Sequence, residues 1–152
     1  GCKDIDPDGG IKNVSEALSW KQEFSKRTDA SMAIVTQFCF EADVVKQWAD
    51  NIKKDGVDIP IHIGIAGPTK LQTLLKFSVE CGIGPSMKVL TKRAKDLTKL
   101  LLPYEPTRIL QDLSDHKYRD PYLNIEKVHF FPIGGIKKTV DWVAEIHDQN
   151  AL

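Results

Sequence analysis

Three short apolar runs, each followed by a longer amphipathic stretch, constrain this chain more than any other feature. They are Ala33–Phe40 ("AIVTQFCF"), Ile59–Ile65 ("IPIHIGI") and Lys127–Phe131 ("KVHFF"). In the first, β-branched Ile34, Val35 and Thr36 favour extended backbone. Glu41 and Asp43 then suit the positive end of a helix dipole, so the spacing predicts a helix to about Asp55, stopped by Gly56. The second run closes in a Gly67-Pro68 turn, where Pro68 and Thr69 start a helix through Leu71, Leu74, Leu75 and Val79 to Cys81-Gly82. After the third run come a glycine turn and a helix through Val140, Val143 and Ile146. Strands apolar on both faces that alternate with helices signal a parallel sheet covered by helices, the α/β class. Three strands alone leave two edges of unpaired backbone groups and a thin core. A complete (β/α)8 TIM barrel needs at least about 200 residues, so barrel material in this chain is expected to be part of a barrel.

The flanking segments fit one domain over 1–152. "DIDPDGGIKN" is turn chemistry, with Pro7, Gly9 and Gly10 ahead of a helix that Asn13 or Ser15 caps. That helix runs from Val14 to about Arg27, with Val14, Ala17, Leu18, Trp20 and Phe24 near helical spacing. Beyond Gly84-Pro85, helices are predicted over about Ser86–Leu101 and Glu105–His116, separated by Pro103 and Pro106; "YRDPYLN" reads as loop.

Composition narrows the function classes. Lys plus Arg equals Asp plus Glu at 21 each, so no overall field favours nucleic acid or an anionic membrane surface. No apolar run approaches the roughly 20 residues that cross a bilayer, and "GCKDIDPDGG" has no signal-peptide core, which makes the cytoplasm the expected compartment. Cys2, Cys39 and Cys81 lack CxxC spacing and are expected as free thiols, the last two as small core residues. His62, His116, His129 and His147 show no i, i+4 pairing, so no metal site is expected. The chain begins at Gly1, and a missing upstream segment is expected.

In parallel α/β sheets the site lies at the C-terminal ends of the strands. Three such ends are "VTQFCFE", "HIGIAGPT" and "HFFPIGGIKKT". Gln37 in the first carries both a donor and an acceptor, the pair that reads a flat heterocyclic amide. It is equally a strand-end amide satisfied by neighbouring backbone. "PIGGIKKT" resembles a phosphate cradle with Lys137 nearby, but ordinary turn geometry accounts for it as well. "SMKVLTKRAKDLTK", with Lys88, Lys92, Arg93, Lys95 and Lys99, reads as a solvated helix face that a polyanionic tail could use.

From Leu18 onward the order of these motifs resembles the methylenetetrahydrofolate reductase family. "MAIVTQFCFEADVV" is similar to that family's strand and helix after the flavin-binding half of the barrel, with Thr-Gln followed by aromatics and an acidic residue. "GVDIPIHIGIAGPTKLQTLLKFSVECGI" resembles the next unit, and "VHFFPIGGIKKT" stands in the place of the last strand. The resemblance implies a (β/α)8 barrel that uses FAD to pass a hydride from NAD(P)H to methylenetetrahydrofolate, giving methyltetrahydrofolate. It implies folate contacts for Gln37, for Phe77 and Thr73 on the helix after the second strand, and for Phe131 and Ile133. Lys21 corresponds to a helix lysine that meets the flavin's phosphate region.

The departures are specific. Thr73 stands where the family often has Gln, and Pro132, Ile133 and Gly134 stand where it usually has Thr-Leu-Asn. The family's catalytic Glu, the Asp that tunes the flavin and the Pro-Glu-rich segment have no counterparts here. The resemblance therefore covers roughly the last three strands of eight. The expected partner is a missing N-terminal barrel half or a complementary chain, alongside the folate and a possible homo-oligomer, and the isolated chain is expected to be inactive. A catalytically incompetent folate- or nucleotide-binding α/β module is the alternative.

Overall fold

The computed structural model describes residues 10–82 and 103–150. In chain order these form α1 (Gly10–Ser25), β1 (Ile34–Phe38), α2 (Ala42–Lys54), β2 (Ile61–Ala66), β3 (Thr69–Lys70), α3 (Leu71–Glu80), β4 (Pro103–Tyr104), α4 (Thr107–Arg119), β5 (Ile125–Phe131) and α5 (Ile136–Asn150). A parallel sheet has the order β1-β2-β5, and β3 pairs antiparallel with β4. The class is α/β.

The central strand organises the core. Ile61, Ile63 and Ile65 alternate onto one face of β2 and are wholly buried. Against them lies a helical stripe of α2, Ala42, Val45, Ala49 and Ile52, joined by Ile109 and Leu113, one turn apart on α4. Ala49 is also fully buried, its single methyl allowing α2 close to the sheet. The helix stops at Gly56, whose φ of 84° lets Val57 N–H return to Ile52 O at 3.0 Å. Lys117 of α4 ties the loop ahead of β5, donating to Pro121 O at 2.9 Å and Leu123 O at 2.6 Å. Asn124 then fixes that loop to β2, donating to Val57 O and accepting from Ile61 N–H at 2.8 Å.

The opposite face is open along much of its length among the described residues. By register Val35, His62, Lys127, His129 and Phe131 share this face with Gly64 and Ala66. Val35 is 52% exposed, and Glu126 to His129 are exposed. Among the described residues the cover of this face lies at the C-terminal end, where Leu71 and Leu74 of α3 and Tyr104 of β4 pack with Phe38 and Ala66. Both β1 and β5 have a strand neighbour on one side only among the described residues.

Several element ends also differ from expectation. Helix α1 includes Gly10, so that glycine does not bar helix. Pro68 and Thr69 are buried ahead of α3 rather than in it, because Thr69 pairs with Tyr104 and Lys70 with Pro103. Helix α4 starts at Thr107 because the residue before Pro106 is pushed toward extended backbone, and it continues to Arg119. Strand β5 begins earlier, at Ile125. Cys2, the opening turn and the predicted Ser86–Leu101 helix with its lysines lie outside the described residues. Among the described residues no helix is long and apolar enough to cross a membrane.

If β2 carries the fold, truncating Ile63 to Ala should lower unfolding stability by about 2–5 kcal/mol, the usual cost of emptying a buried isoleucine site. Chemical denaturation at unchanged m-value checks this.

Candidate functional site

The C-terminal rim of the sheet is shaped by an irregularity in β1. Val35 is opposite His62 and Phe38 is opposite Gly64, so three steps along β1 match two along β2. The extra residue is a β-bulge, which reorients the peptides on either side of Gln37. Thr36 Oγ1 accepts the Gly64 N–H at 2.9 Å and donates to Gln37 O, also at 2.9 Å. A side-chain hydroxyl thus replaces a main-chain carbonyl in the ladder. A Cβ on residue 64 would stand 2.5 Å from Thr36 O and 2.7 Å from both the carbonyl carbon and oxygen of Gln37, so only glycine allows β1 this close. Beyond the bulge, Cys39 N–H reaches Gly64 O at 3.1 Å.

Gln37 is exposed at this rim. Its Oε1 accepts the N–H of Phe38 at 3.2 Å, the local backbone contact that the structural reading of this amide foresaw. Among the described residues no protein acceptor meets its Nε2 donors. Beside Gln37 runs an aromatic chain that the sequence reading did not assemble. His129 meets Phe131 (5.1 Å between centroids), Phe131 meets Phe38 (5.6 Å), Phe38 meets Phe40 (5.8 Å) and Phe40 meets Tyr104 (6.0 Å), all edge-to-face. The i, i+2 spacing of Phe38 and Phe40 was the available signal for one link; Tyr104 comes from a segment far away in sequence.

The structure places the expected site residues in two groups. Phe131 and Ile133 are half-buried against the Phe38–Ala66–Leu71–Leu74–Tyr104 cluster. Thr73, half-buried, and Phe77, 38% exposed, lie one turn apart on α3, whose Leu71 and Leu74 belong to that cluster. Gln37 adjoins it through Phe38. Lys21 is elsewhere. It is exposed on α1, next to Gln22, whose Oε1 accepts the Asp58 N–H ahead of β2. At about 3.3 Å per strand residue, most of a strand length separates that end from Gln37.

The glycine turn after β5 packs closely at Gly134, and Gly134 and Gly135 also line a cavity of about 650 Å³ with Ile136, Lys137 and Lys138. A Cβ at Gly134 would fall 2.0 Å from Pro68 O, and one at Gly67 2.6 Å from Thr139 Oγ1. Gly67 N–H donates to Phe131 O, Gly135 N–H to Pro132 O, and Thr139 Oγ1 to Gly135 O. Lys137 is paired with Asp141 at 2.5 Å. Lys21, the residue that the resemblance links to a flavin phosphate, is not brought to this rim.

A cleft of about 470 Å³ lies beside the rim, between the start of α2 and α4, and Gln37 does not line it. Two ion pairs lie in it, His116 Nε2 at 2.9 Å from Asp43 and Arg108 at 3.8 Å from Asp112, and Glu41, Glu105, Asp115 and Arg119 line it as well. The rim is the better candidate because it leaves a directional amide exposed beside aromatic surface. No known protein-family model matches the chain.

Cys39 is half-buried behind the bulge, its thiol directed at Gly64 O at 3.4 Å, and burial pushes its pKa up to about 12. Because the thiolate is the nucleophile, alkylation of Cys39 by iodoacetamide at pH 8 should be far slower than for an ordinary free cysteine. The rate should rise with each pH unit through the alkaline range until the protein unfolds. Peptide mass spectrometry of timed labelling reads it, and rapid labelling at pH 8 would show the thiol to be open.

Proposed function

We propose that this chain is part of a methylenetetrahydrofolate reductase-like (β/α)8 barrel and forms its folate-side wall. The observation that carries this is Gln37: an exposed amide beside a bulge at the C-terminal rim of a parallel sheet, adjacent in the chain to Phe38, whose ring meets that of Phe131. A pterin presents a flat ring with adjacent donors and acceptors, which an amide pairs with while aromatic edges meet the ring. The edges of β1 and β5, without a second strand neighbour among the described residues, and the exposed Val35 and His129 support a sheet continued by further strands. On this proposal FAD and NAD(P)H are held by a complementary segment or chain, and the cytoplasm is the working compartment.

Calorimetric titration of the full chain with methyltetrahydrofolate tests the substrate class. Gln37→Ala should weaken binding by about 1–3 kcal/mol, the range for losing a hydrogen bond in a partly buried site. Unchanged affinity would remove Gln37 from the site. The same rim also supports a folate- or nucleotide-binding module without catalysis, and colour separates the two. A complex of this chain with its complement that is yellow, bleached by reduced nicotinamide and restored by methylenetetrahydrofolate is a reductase. A colourless complex that binds folate is the module.

A further inference from the structure

We infer that Thr36 and Gly64 are positioning residues for Gln37, together fixing the direction in which its amide is presented to a ligand. This rests on the folate role proposed for Gln37 and adds the device that makes the amide selective. Two observations carry it. The first is that one hydroxyl holds both sides of the bulge: Thr36 Oγ1 accepts from Gly64 N–H and donates to Gln37 O, each at 2.9 Å. With the Gln37 carbonyl held on one side, and its own Oε1 on Phe38 N–H at 3.2 Å on the other, the residue is restrained at both its main chain and its side chain. The second is steric. The Gln37 carbonyl occupies the space where any side chain at residue 64 would begin, 2.7 Å from an ideal Cβ.

The consequence concerns binding as well as stability. A glutamine on a regular, freely rotating strand end loses conformational freedom whenever it pairs with a ligand, and a restrained one loses less. Thr36 touches no ligand on this account; it acts through Gln37. Serine keeps the hydroxyl and should keep the device, whereas valine keeps the shape and loses it.

A double-mutant cycle on the full chain, titrated with methyltetrahydrofolate, tests this. Thr36→Val should weaken binding about tenfold, corresponding to one lost hydrogen bond's worth of preorganisation, and Thr36→Ser should stay within about twofold. In a Gln37→Ala background, Thr36→Val should cost nothing further in affinity, while its effect on the melting temperature is the same in both backgrounds. Should Thr36→Val fail to fold, Thr36→Ala carries the same comparison against Thr36→Ser. Equal, additive losses from Thr36 and Gln37, or a Thr36→Val protein that binds as wild type, would overturn the positioning role and leave a folate contact by Gln37 intact. Gln37→Ala binding as wild type would overturn both.

Discussion

Everything described here depends on β2 being paired on both edges while burying one face completely. Ile61, Ile63 and Ile65 fill that face, and α2 and α4 exist as packed helices because they have this surface to cover. Each parallel pair needs a crossover, and α2 supplies it between β1 and β2 while α3 and α4 lie on the way from β2 to β5. The same strand supplies Gly64, and the absence of a side chain there lets β1 lean in and bulge. Core and candidate site thus share one strand: its isoleucines hold the helices on one face, and its glycine shapes the rim.

The fold was legible where burial and periodicity agree. The apolar runs at Ile34–Phe38 and Ile61–Ala66 are strands because β-branched residues alternate there with little to recommend a helix, and Gly56 ends α2 as its position suggested. What sequence could not give was sidedness. An apolar Val35 or Val128 looks buried in a list of residues, yet both are exposed, because a strand at a sheet edge lacks neighbours that no local pattern records. The β3–β4 pairing was also hidden: Thr69 and Tyr104 are 35 positions apart, and a two-residue ladder leaves no periodic trace.

The site was partly legible for the same reason. Strand ends are predictable, so the rim position of Gln37 followed from the strand itself. The bulge did not, because its signature is a tertiary contact between Thr36 and Gly64, residues 28 positions apart. Phe131 and Ile133 join the cluster at the rim with α3, but Lys21 lies with Gln22 near the other end of β2. A helix residue's place along the strand axis depends on where the helix docks, and the α1 sequence alone does not state it. The cleft between α2 and α4, with its Asp43–His116 pair, likewise joins segments that carry no shared motif.

The central claim is that the amide of Gln37 is where this protein meets its ligand. The most direct measurement is a two-dimensional nitrogen–proton spectrum of the side-chain amides during titration with methyltetrahydrofolate. The account predicts that the Gln37 NH₂ pair shifts saturably with the backbone amides of Phe38 and Gly64, and that α1 amides around Lys21 do not move. Saturable shifts confined to the α2–α4 cleft around His116, with Gln37 unmoved, would contradict it.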